Sequence, residues 1–448
     1  MALKGLDIFK MTPKTNCKEC GSPTCMAFSM KVAQGAVDIS KCPHMSAEAL
    51  ATLSEATAPP MKSIKVGTGE AEYTLGGETV LFRHEKTYVS KPRFAVRITP
   101  DMDADAVLAS VNKVDYDRIG ERMHAEMVFV EYAGDAAAYV ETVKHVTGIG
   151  KTIVLECADV EAAKAALEIC KAEKPILDGA NASNYAEMVE VAKAAGAVLG
   201  VSGASLDELY DTTAAIEKLG YKELVLNTTG ATIKETFANT VQVRRACLAK
   251  NPDRTCGYPS LVNLAKLAPA DEAMQTALAS VFVLKYGSII VMDTMNYAEA
   301  LPLYGLRQNV YTDPQKPMKV EPGIYPLNGG DENSVVLTTV DFALTYFVVS
   351  GELERSGVPC NLVINDAGGL SVLTSWAAGK FSSTSISKFI QENVEPKIKC
   401  RKLIIPGKVA VLKGDLEAKL PGWEIIVAPN EAVQLVKFLK DMKANGEI

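Results

Sequence analysis

Beyond His145 the sequence contains no histidine; its four are His44, His84, His124 and His145, in a chain of 448 residues. Any chemistry in the last two thirds therefore runs without imidazole as acid, base or metal ligand. Long apolar runs are missing as well. Nothing approaches the ~18 uninterrupted residues of a membrane span, and Lys4, Asp7, Lys10 and Lys14 make the first residues unlike a secretory leader. A soluble, cytoplasmic chain without a membrane partner is expected. An excess of positive charge is also absent, since the net charge is −7, and this removes the electrostatic reason to bind nucleic acid or anionic lipid. Disorder is excluded by 48% hydrophobic against 23% charged residues, which is ordinary globular usage.

What the sequence does have is ten cysteines, unevenly placed. Cys17, Cys20, Cys25 and Cys42 form a C-x₂-C-x₄-C-x₁₆-C arrangement. On a loop punctuated by Gly21 and Pro23, four thiolates can converge on one soft metal centre. Disulfides do not suit a cytoplasmic chain. Two centres remain open, a [4Fe–4S] cluster and a structural zinc. Zinc sites usually carry two matched cysteine pairs, whereas here three cysteines crowd together and the fourth stands apart as Cys42-Pro43, so the spacing favours the cluster. His44 reads as a surface neighbour rather than a ligand. Cys157, Cys170 and Cys360 lie in apolar contexts and read as inert buried thiols, while Cys247, Cys256 and Cys400 show no ligand spacing.

Residues 1–60 are too few to bury a stable core without a staple, which a metal centre would supply. Residues 61–92 read as a linker with a β-hairpin, Glu70–Leu75 and Glu78–Phe82 around Gly76-Gly77. Over 93–313 a strand, a loop and a helical stretch repeat. The strands are expected at Phe94–Ile98, Met127–Glu131, Thr152–Glu156, Pro175–Asp178, Val198–Val201, Leu224–Asn227, Ser260–Leu264 and Ser288–Met292. Amphipathic stretches such as Val160–Lys171, Tyr185–Ala195 and Leu206–Leu219 lie between them. Eight such units make a TIM-like (β/α)₈ barrel; without the weak seventh strand the pattern would be an open doubly wound sheet. Pro314, Pro317, Pro322, Pro326 and Gly329-Gly330 mark 314–330 as a linker. Residues 331–448 read as an open-sheet, Rossmann-like α/β domain. Its strands are expected at Val335–Val340, Asn361–Asn365, Lys402–Ile405, Val409–Leu412 and Glu424–Ala428.

Three sets of residues are chemical candidates. Gly150-Lys151-Thr152 resembles the tail of a P-loop, but the required earlier glycine is His145 and the tripeptide precedes a strand, so nucleotide triphosphate binding is rejected. The barrel strands end in Glu131, Glu156, Asp178 with Asn181, and Asn227, at the face where barrels hold ligands; the competing reading is helix capping and loop satisfaction. In the last domain, Cys360 to Thr374 runs strand, glycine turn, helix. The turn residues Gly368 and Gly369 allow backbone N–H groups to approach a ligand, and Ser371 and Thr374 add hydroxyls. Thr338-Thr339 and Ala428-Pro429-Asn430 end neighbouring strands, and the three segments suggest a crevice at one sheet edge.

The run Met1–Lys10, the stretch Thr15-Asn-Cys-Lys-Glu-Cys-Gly-Ser-Pro-Thr-Cys-Met-Ala-Phe28, the barrel, and Val363-Ile-Asn-Asp-Ala-Gly-Gly-Leu-Ser-Val-Leu-Thr374 together resemble the large (gamma) subunit of the corrinoid iron–sulfur protein. That protein is a component of the acetyl-CoA synthase/decarbonylase system of the reductive acetyl-CoA pathway. The resemblance runs from end to end. It implies a methyl carrier rather than a stand-alone enzyme: a cobalamin on the C-terminal domain takes a methyl group from methyltetrahydrofolate through a separate methyltransferase and passes it to acetyl-CoA synthase. It implies one [4Fe–4S] cluster on Cys17, Cys20, Cys25 and Cys42. It places Thr338, Thr339, Tyr346, Gly368, Gly369, Leu370, Ser371, Val372, Leu373, Thr374, Ala428, Pro429 and Asn430 against the corrinoid. The implied partners are a smaller barrel-shaped subunit in a heterodimer, the methyltransferase, acetyl-CoA synthase and a low-potential electron donor.

The missing histidines agree with this. Many cobalamin domains ligate cobalt from below with imidazole, which this C-terminal domain cannot supply, so a base-off corrinoid is expected. Losing an axial donor eases reduction to Co(I), and an adjacent low-potential cluster has a reason to exist if it returns Co(II) to that state. Ala56–Pro60 and Pro314–Gly330 are the expected hinges for meeting two large partners in turn. Two other functions fit parts of the sequence: a barrel-based methyltransferase with a pterin near Asp178 and Asn227, and a plain iron–sulfur electron-transfer subunit.

Overall fold

The structure is a computed structural model that describes residues 5–33, 37–50, 53, 60–249, 252–313 and 317–448. The chain divides into two compact units, one holding the chain up to Tyr116 together with Met123–Tyr311, the other Asp117–Arg122 together with Thr312–Ile448. Among the described residues no helix is long and apolar enough to cross a membrane. The expected hinge residues 56–59 and 314–316 lie outside the described residues.

In the first unit, helices Gly5–Lys10 and Cys25–Ala33 enclose a small apolar cluster of Ile8, Phe28, Val32, Ile39, Cys42 and Met45. Strands β1 (Ser63–Val66) and β2 (Tyr73–Gly76) follow as an antiparallel pair with Ile64 opposite Leu75. This corrects the expected hairpin around Gly76-Gly77. Residues 78–82 form no strand, because Glu78 turns inward: it is buried, accepts the N–H groups of Val89 and Ser90, and faces Arg244 at 3.3 Å. The pair instead covers one end of the barrel. Ile64, Val66 and Leu75 join the barrel core, and Thr152 donates its hydroxyl to the Ala71 carbonyl.

The barrel opens with β3 (Arg93–Ile98), and a hairpin of β4 (Asp115–Arg118) and β5 (Glu121–His124) interrupts it. That hairpin was not expected. Its turn, Ile119-Gly120, holds positive φ at both positions, as a two-residue hairpin turn requires, and a β-branched residue in left-handed backbone is a poor sequence signal. The barrel continues with β6 (Met127–Glu131), β7 (Thr152–Glu156), β8 (Ile176–Ala180), β9 (Val198–Val201), β10 (Leu224–Asn227), β11 (Ser260–Asn263) and β12 (Ile289–Met292). All pairs are parallel, and β12 closes on β3 with Ile290 opposite Phe94. The doubtful seventh strand, β11, pairs on both sides, so the structure is a closed eight-stranded barrel and the open-sheet alternative fails. Parallel strands covered by helices are buried on both faces, which is why they read as apolar runs. Below the strands, Arg307 and Glu126, both buried, pair at 2.6 Å, and Glu126 also accepts the Phe94 N–H.

The second unit is a mixed sheet of β13 (Gly323–Leu327), β14 (Val335–Val340), β15 (Cys360–Asn365), β16 (Lys402–Ile405) and β17 (Glu424–Val427), in spatial order β13-β15-β14-β16-β17. Only β13 is antiparallel. Two expectations are corrected here. Part of the supposed linker 314–330 is strand β13, since an edge strand tolerates Pro326 where a central one would not. The expected strand Val409–Leu412 is part of the 3₁₀ turn Gly407–Leu412. Val409 and Leu412 are buried while Val411 is 71% exposed, a spacing of three that suits a helical turn, whereas a strand would put Val409 and Val411 on one face.

Candidate functional site

The four clustered cysteines come from three local structures. Cys17 and Cys20 lie on the loop, Cys25 starts the helix Cys25–Ala33, and Cys42 follows a 3₁₀ turn capped by Asp38. Cys25 and Cys42 are buried, Cys20 is half-buried and Cys17 exposed, and none of the four is in a disulfide. The Asn16 N–H donates to Cys25 Sγ at 3.4 Å, and the Cys25 N–H donates to Asn16 Oδ1 at 2.8 Å. Asn16 and Lys18 hold left-handed backbone on either side of Cys17.

Among the described residues, the group whose ligand atoms approach within 4.8 Å of one another is Cys17, Glu19 and His44. His44 lies 3.0 Å from the Glu19 carboxylate, beside the loop, as a surface neighbour.

The second candidate site is a cleft of about 320 Å³ in the C-terminal unit. It opens where the strand order reverses: the chain leaves β14 toward β15 on one side and returns to β16 on the other, and open α/β sheets hold ligands at such a switch point. Thr338 and Thr339 at the end of β14, Ser371, Val372 and Leu373 at the helix Val372–Ala377, and Ala428, Pro429 and Asn430 after β17 line it. Expected residues from three segments are thus brought together. Among the described residues the Thr339 hydroxyl, buried against this cleft, has no hydrogen-bond partner, which suits a ligand with polar groups.

The remaining expected residues are elsewhere. Gly368 and Gly369 adopt left-handed backbone and shape the turn behind the lining, held by Asp341, whose Oδ1 accepts the N–H groups of Ala367 and Gly369 at 3.0 Å each. Leu370 is half-buried outside the lining, and Thr374 spends its hydroxyl on Ser371 at 2.9 Å. Tyr346 packs against Tyr325 with ring centroids 5.3 Å apart and planes tilted by 60°, away from the lining, because on the helix Ala343–Ser356 each residue turns by about 100°. Its helix contributes Leu344, Thr345 and Val348 instead. These were missed, as were Lys408 and Glu431; the available signal was the exposed apolar pair Leu344 and Val348, four residues apart on one helix face.

The barrel's strand ends form a third polar group. Glu131, Glu156, Asp178 and Gly200 are register partners across β6 to β9. Asn227 donates to Asp178 Oδ2 at 2.8 Å, and among the described residues Asp178 Oδ1 has no hydrogen-bond partner. Burial, with Asp178 and Glu131 beside it, pushes the Glu156 carboxyl up to about 7. Burial alone pushes Asp178 up to about 6, against the opposing effects of Asn227 and Lys266. Arg97 is occupied by Asp293 at 2.8 Å and Glu131 at 3.1 Å. Asn181 does not join this group; its carbonyl oxygen accepts from Ser183, a loop-satisfying role. The Cys157 and Cys170 thiols are pushed up to about 12 by burial and Cys360 to about 11, so these thiols are inert.

Comparison with known proteins covers nearly the whole chain. A family model described as CO dehydrogenase/acetyl-CoA synthase delta subunit matches residues 63–439, and one described as putative Fe-S cluster matches residues 13–44, which span all four clustered cysteines. The corrinoid/iron-sulfur protein large subunit of Moorella thermoacetica is 37% identical over 98% of this chain and 99% of its own length. The acetyl-CoA decarbonylase/synthase complex subunit gamma of Methanopyrus kandleri is 32% identical over 98% of this chain and 97% of its own. Among solved structures, the dihydropteroate synthase of Thermus thermophilus covers 56% of this chain and 100% of its own with a TM-score of 0.38 at 12% identity.

Proposed function

This chain belongs to the family of corrinoid/iron-sulfur protein large subunits, the gamma subunits of acetyl-CoA decarbonylase/synthase complexes, and from that premise we propose that it is the methyl-carrying subunit of such a complex. The observation that carries the reading is the cleft at the switch point of the C-terminal sheet, with neutral hydroxyls at the strand ends, an orphaned Thr339 hydroxyl and no histidine in the unit. Residues Thr338, Thr339, Ser371–Leu373 and Ala428–Asn430 would hold a base-off corrinoid. A corrinoid held there would supply the nucleophilic cobalt needed to carry a methyl group from methyltetrahydrofolate, delivered by a separate methyltransferase, to acetyl-CoA synthase.

The protein's own residues do three things in this scheme. Asp341 fixes the turn that carries Ser371. Leu344, Val348 and Leu373 would give the ligand an apolar wall. Cys17, Cys20, Cys25 and Cys42 would hold a [4Fe–4S] cluster, whose role is electron delivery to restore the reduced cofactor. The large-subunit family implies a complex with other subunits, and the smaller barrel-shaped subunit, the methyltransferase and a low-potential electron donor are the proposed contacts. An anaerobic absorption spectrum of the purified chain with cobalt and iron counts tests the reading: a corrinoid band with one cobalt per chain supports it, and a cluster spectrum alone favours the plain electron-transfer subunit.

A second reading rests on the barrel's strand ends, where Asp178 Oδ1 is buried without a partner and Glu156 is poised near neutrality. On it, a pterin binds there and the chain is itself a methyltransferase. Incubation with cobalamin and methyltetrahydrofolate separates the two, since methylation without a second protein favours the enzyme.

A further inference from the structure

The segment that carries the four clustered cysteines has the opposite charge to the rest of the chain. Residues 1–44 hold six lysines against Asp7, Glu19 and Asp38, a net charge of +3, so the remaining residues carry −10. The three carboxylates are already occupied: Asp7 meets Lys10 at 3.3 Å, Glu19 meets His44 at 3.0 Å, and Asp38 caps a 3₁₀ turn by accepting the Ser40 N–H. Lys14, Lys18, Lys31 and Lys41 are exposed and, among the described residues, pair with no carboxylate. Two of these, Lys14 and Lys18, flank the exposed Cys17 on its loop. Their backbone is left-handed, with φ of 57° and 68°. The Lys18 carbonyl accepts the Gly21 N–H at 2.9 Å, and the Lys14 nitrogen lies 5.8 Å from the centre of the Phe9 ring, so local structure sets where both cations stand.

The other side of the cysteine set is closed, because Cys25 and Cys42 are buried and Cys42 packs with Ile8 and Phe28. A cluster on these cysteines would come nearest to solvent at Cys17, and an external reductant has to approach where the redox centre is close to the surface. At physiological ionic strength charges beyond about 8 Å are screened. A small partner arriving at Cys17 therefore meets the lysines rather than the negative charge of the whole chain. We propose that the face formed by Lys14, Cys17 and Lys18 is the docking surface for a small electron-carrier protein with an acidic surface, and that electrons enter the chain there. The inference rests on the [4Fe–4S] reading above and adds to it the entry face and the charge of the donor. One electron passes from the reduced carrier to the oxidised cluster, and no covalent bond forms or breaks. Charge complementarity of this kind acts on the rate of encounter more than on the strength of the complex.

The test is stopped-flow reduction of the full-length, cluster-containing chain, followed at the cluster's visible absorption, with two reductants. One is a reduced acidic ferredoxin, the other reduced methyl viologen, a small cation. The wild-type rate with ferredoxin should fall as salt is added. Lys14→Glu together with Lys18→Glu should slow reduction by ferredoxin about tenfold at low ionic strength, the lower end of what electrostatic steering supplies, and should not slow reduction by methyl viologen. Lys14→Asn together with Lys18→Asn, neutral and suited to left-handed backbone, should give a smaller loss of the same kind. Lys440→Glu, the same charge change at an exposed position of the C-terminal unit, should leave the ferredoxin rate unchanged. The inference is overturned if the wild-type ferredoxin rate does not depend on salt, if the Lys14 and Lys18 variants slow both reductants equally or neither, or if Lys440→Glu slows ferredoxin as much. A wild-type chain that carries no iron is a different result, overturning the cluster reading itself.

Discussion

The carboxylate of Asp341 accepts the backbone N–H of Gly369 at 3.0 Å, although Asp341 is completely buried. The same oxygen accepts from Ala367. One side chain just past β14 thus staples the glycine turn that follows β15, and the geometry of the cleft wall depends on it. Replacing Asp341 by Ala leaves two N–H groups without their acceptor, at a cost of about 2–3 kcal/mol. Urea unfolding should register that loss, and the variant should release corrinoid faster than wild type. Unchanged stability would remove Asp341 from this role.

Replacing Cys20 by Ala should abolish the cluster's visible absorption and lower bound iron in the full-length chain. On the proposed division of labour, it should also stop reductive reactivation of the carrier while chain reduced beforehand still accepts a methyl group. Equal loss of both activities would sink the separation of roles.

The Glu156 and Asp178 carboxyls, pushed up by burial to about 7 and about 6, make barrel stability depend on pH. A raised carboxyl binds its proton more tightly in the folded state. Its stabilising contribution is therefore complete below the unfolded value and is lost as pH rises through the folded one, here between about pH 4 and 7. The urea midpoint should fall across this window. In Glu156→Gln, the part of the decline near pH 7 should vanish and the midpoint at pH 8 should exceed that of wild type.

Arg307 and Glu126 are both almost wholly buried, and without Arg307 the Glu126 carboxylate keeps only the longer contact to Arg93 at 3.4 Å. Arg307→Ala should destabilise the chain by about 3 kcal/mol, whereas Arg307→Met together with Glu126→Gln should cost less, because the fully buried carboxylate charge is removed with its main partner. Thermal unfolding of the single and double variants distinguishes the two.

Much of the architecture was legible from residue order because the physics involved is local. Barrel strands covered on both faces must be continuously apolar, and Met127–Glu131, Thr152–Glu156 and Val198–Val201 are strands at those bounds. The crowding of Cys17, Cys20 and Cys25 is a local fact, as is the lack of histidine after His145. The strand-end residues Thr338-Thr339 and Ala428–Asn430 were legible because a strand's carboxyl end is where an open sheet exposes polar groups. The tertiary structure alone decided the rest. Whether Ser260–Asn263 closes a barrel depends on neighbours distant in sequence. Tyr346 turns from the cleft while Leu344 and Val348 face it, a matter of helix rotation against the sheet. Glu78 folds inward to Arg244, Asp341 reaches across to Gly369, and Lys408 meets Glu431. Each of these is a charge whose partner is set by packing, and no short-range pattern encodes which distant segment will supply it.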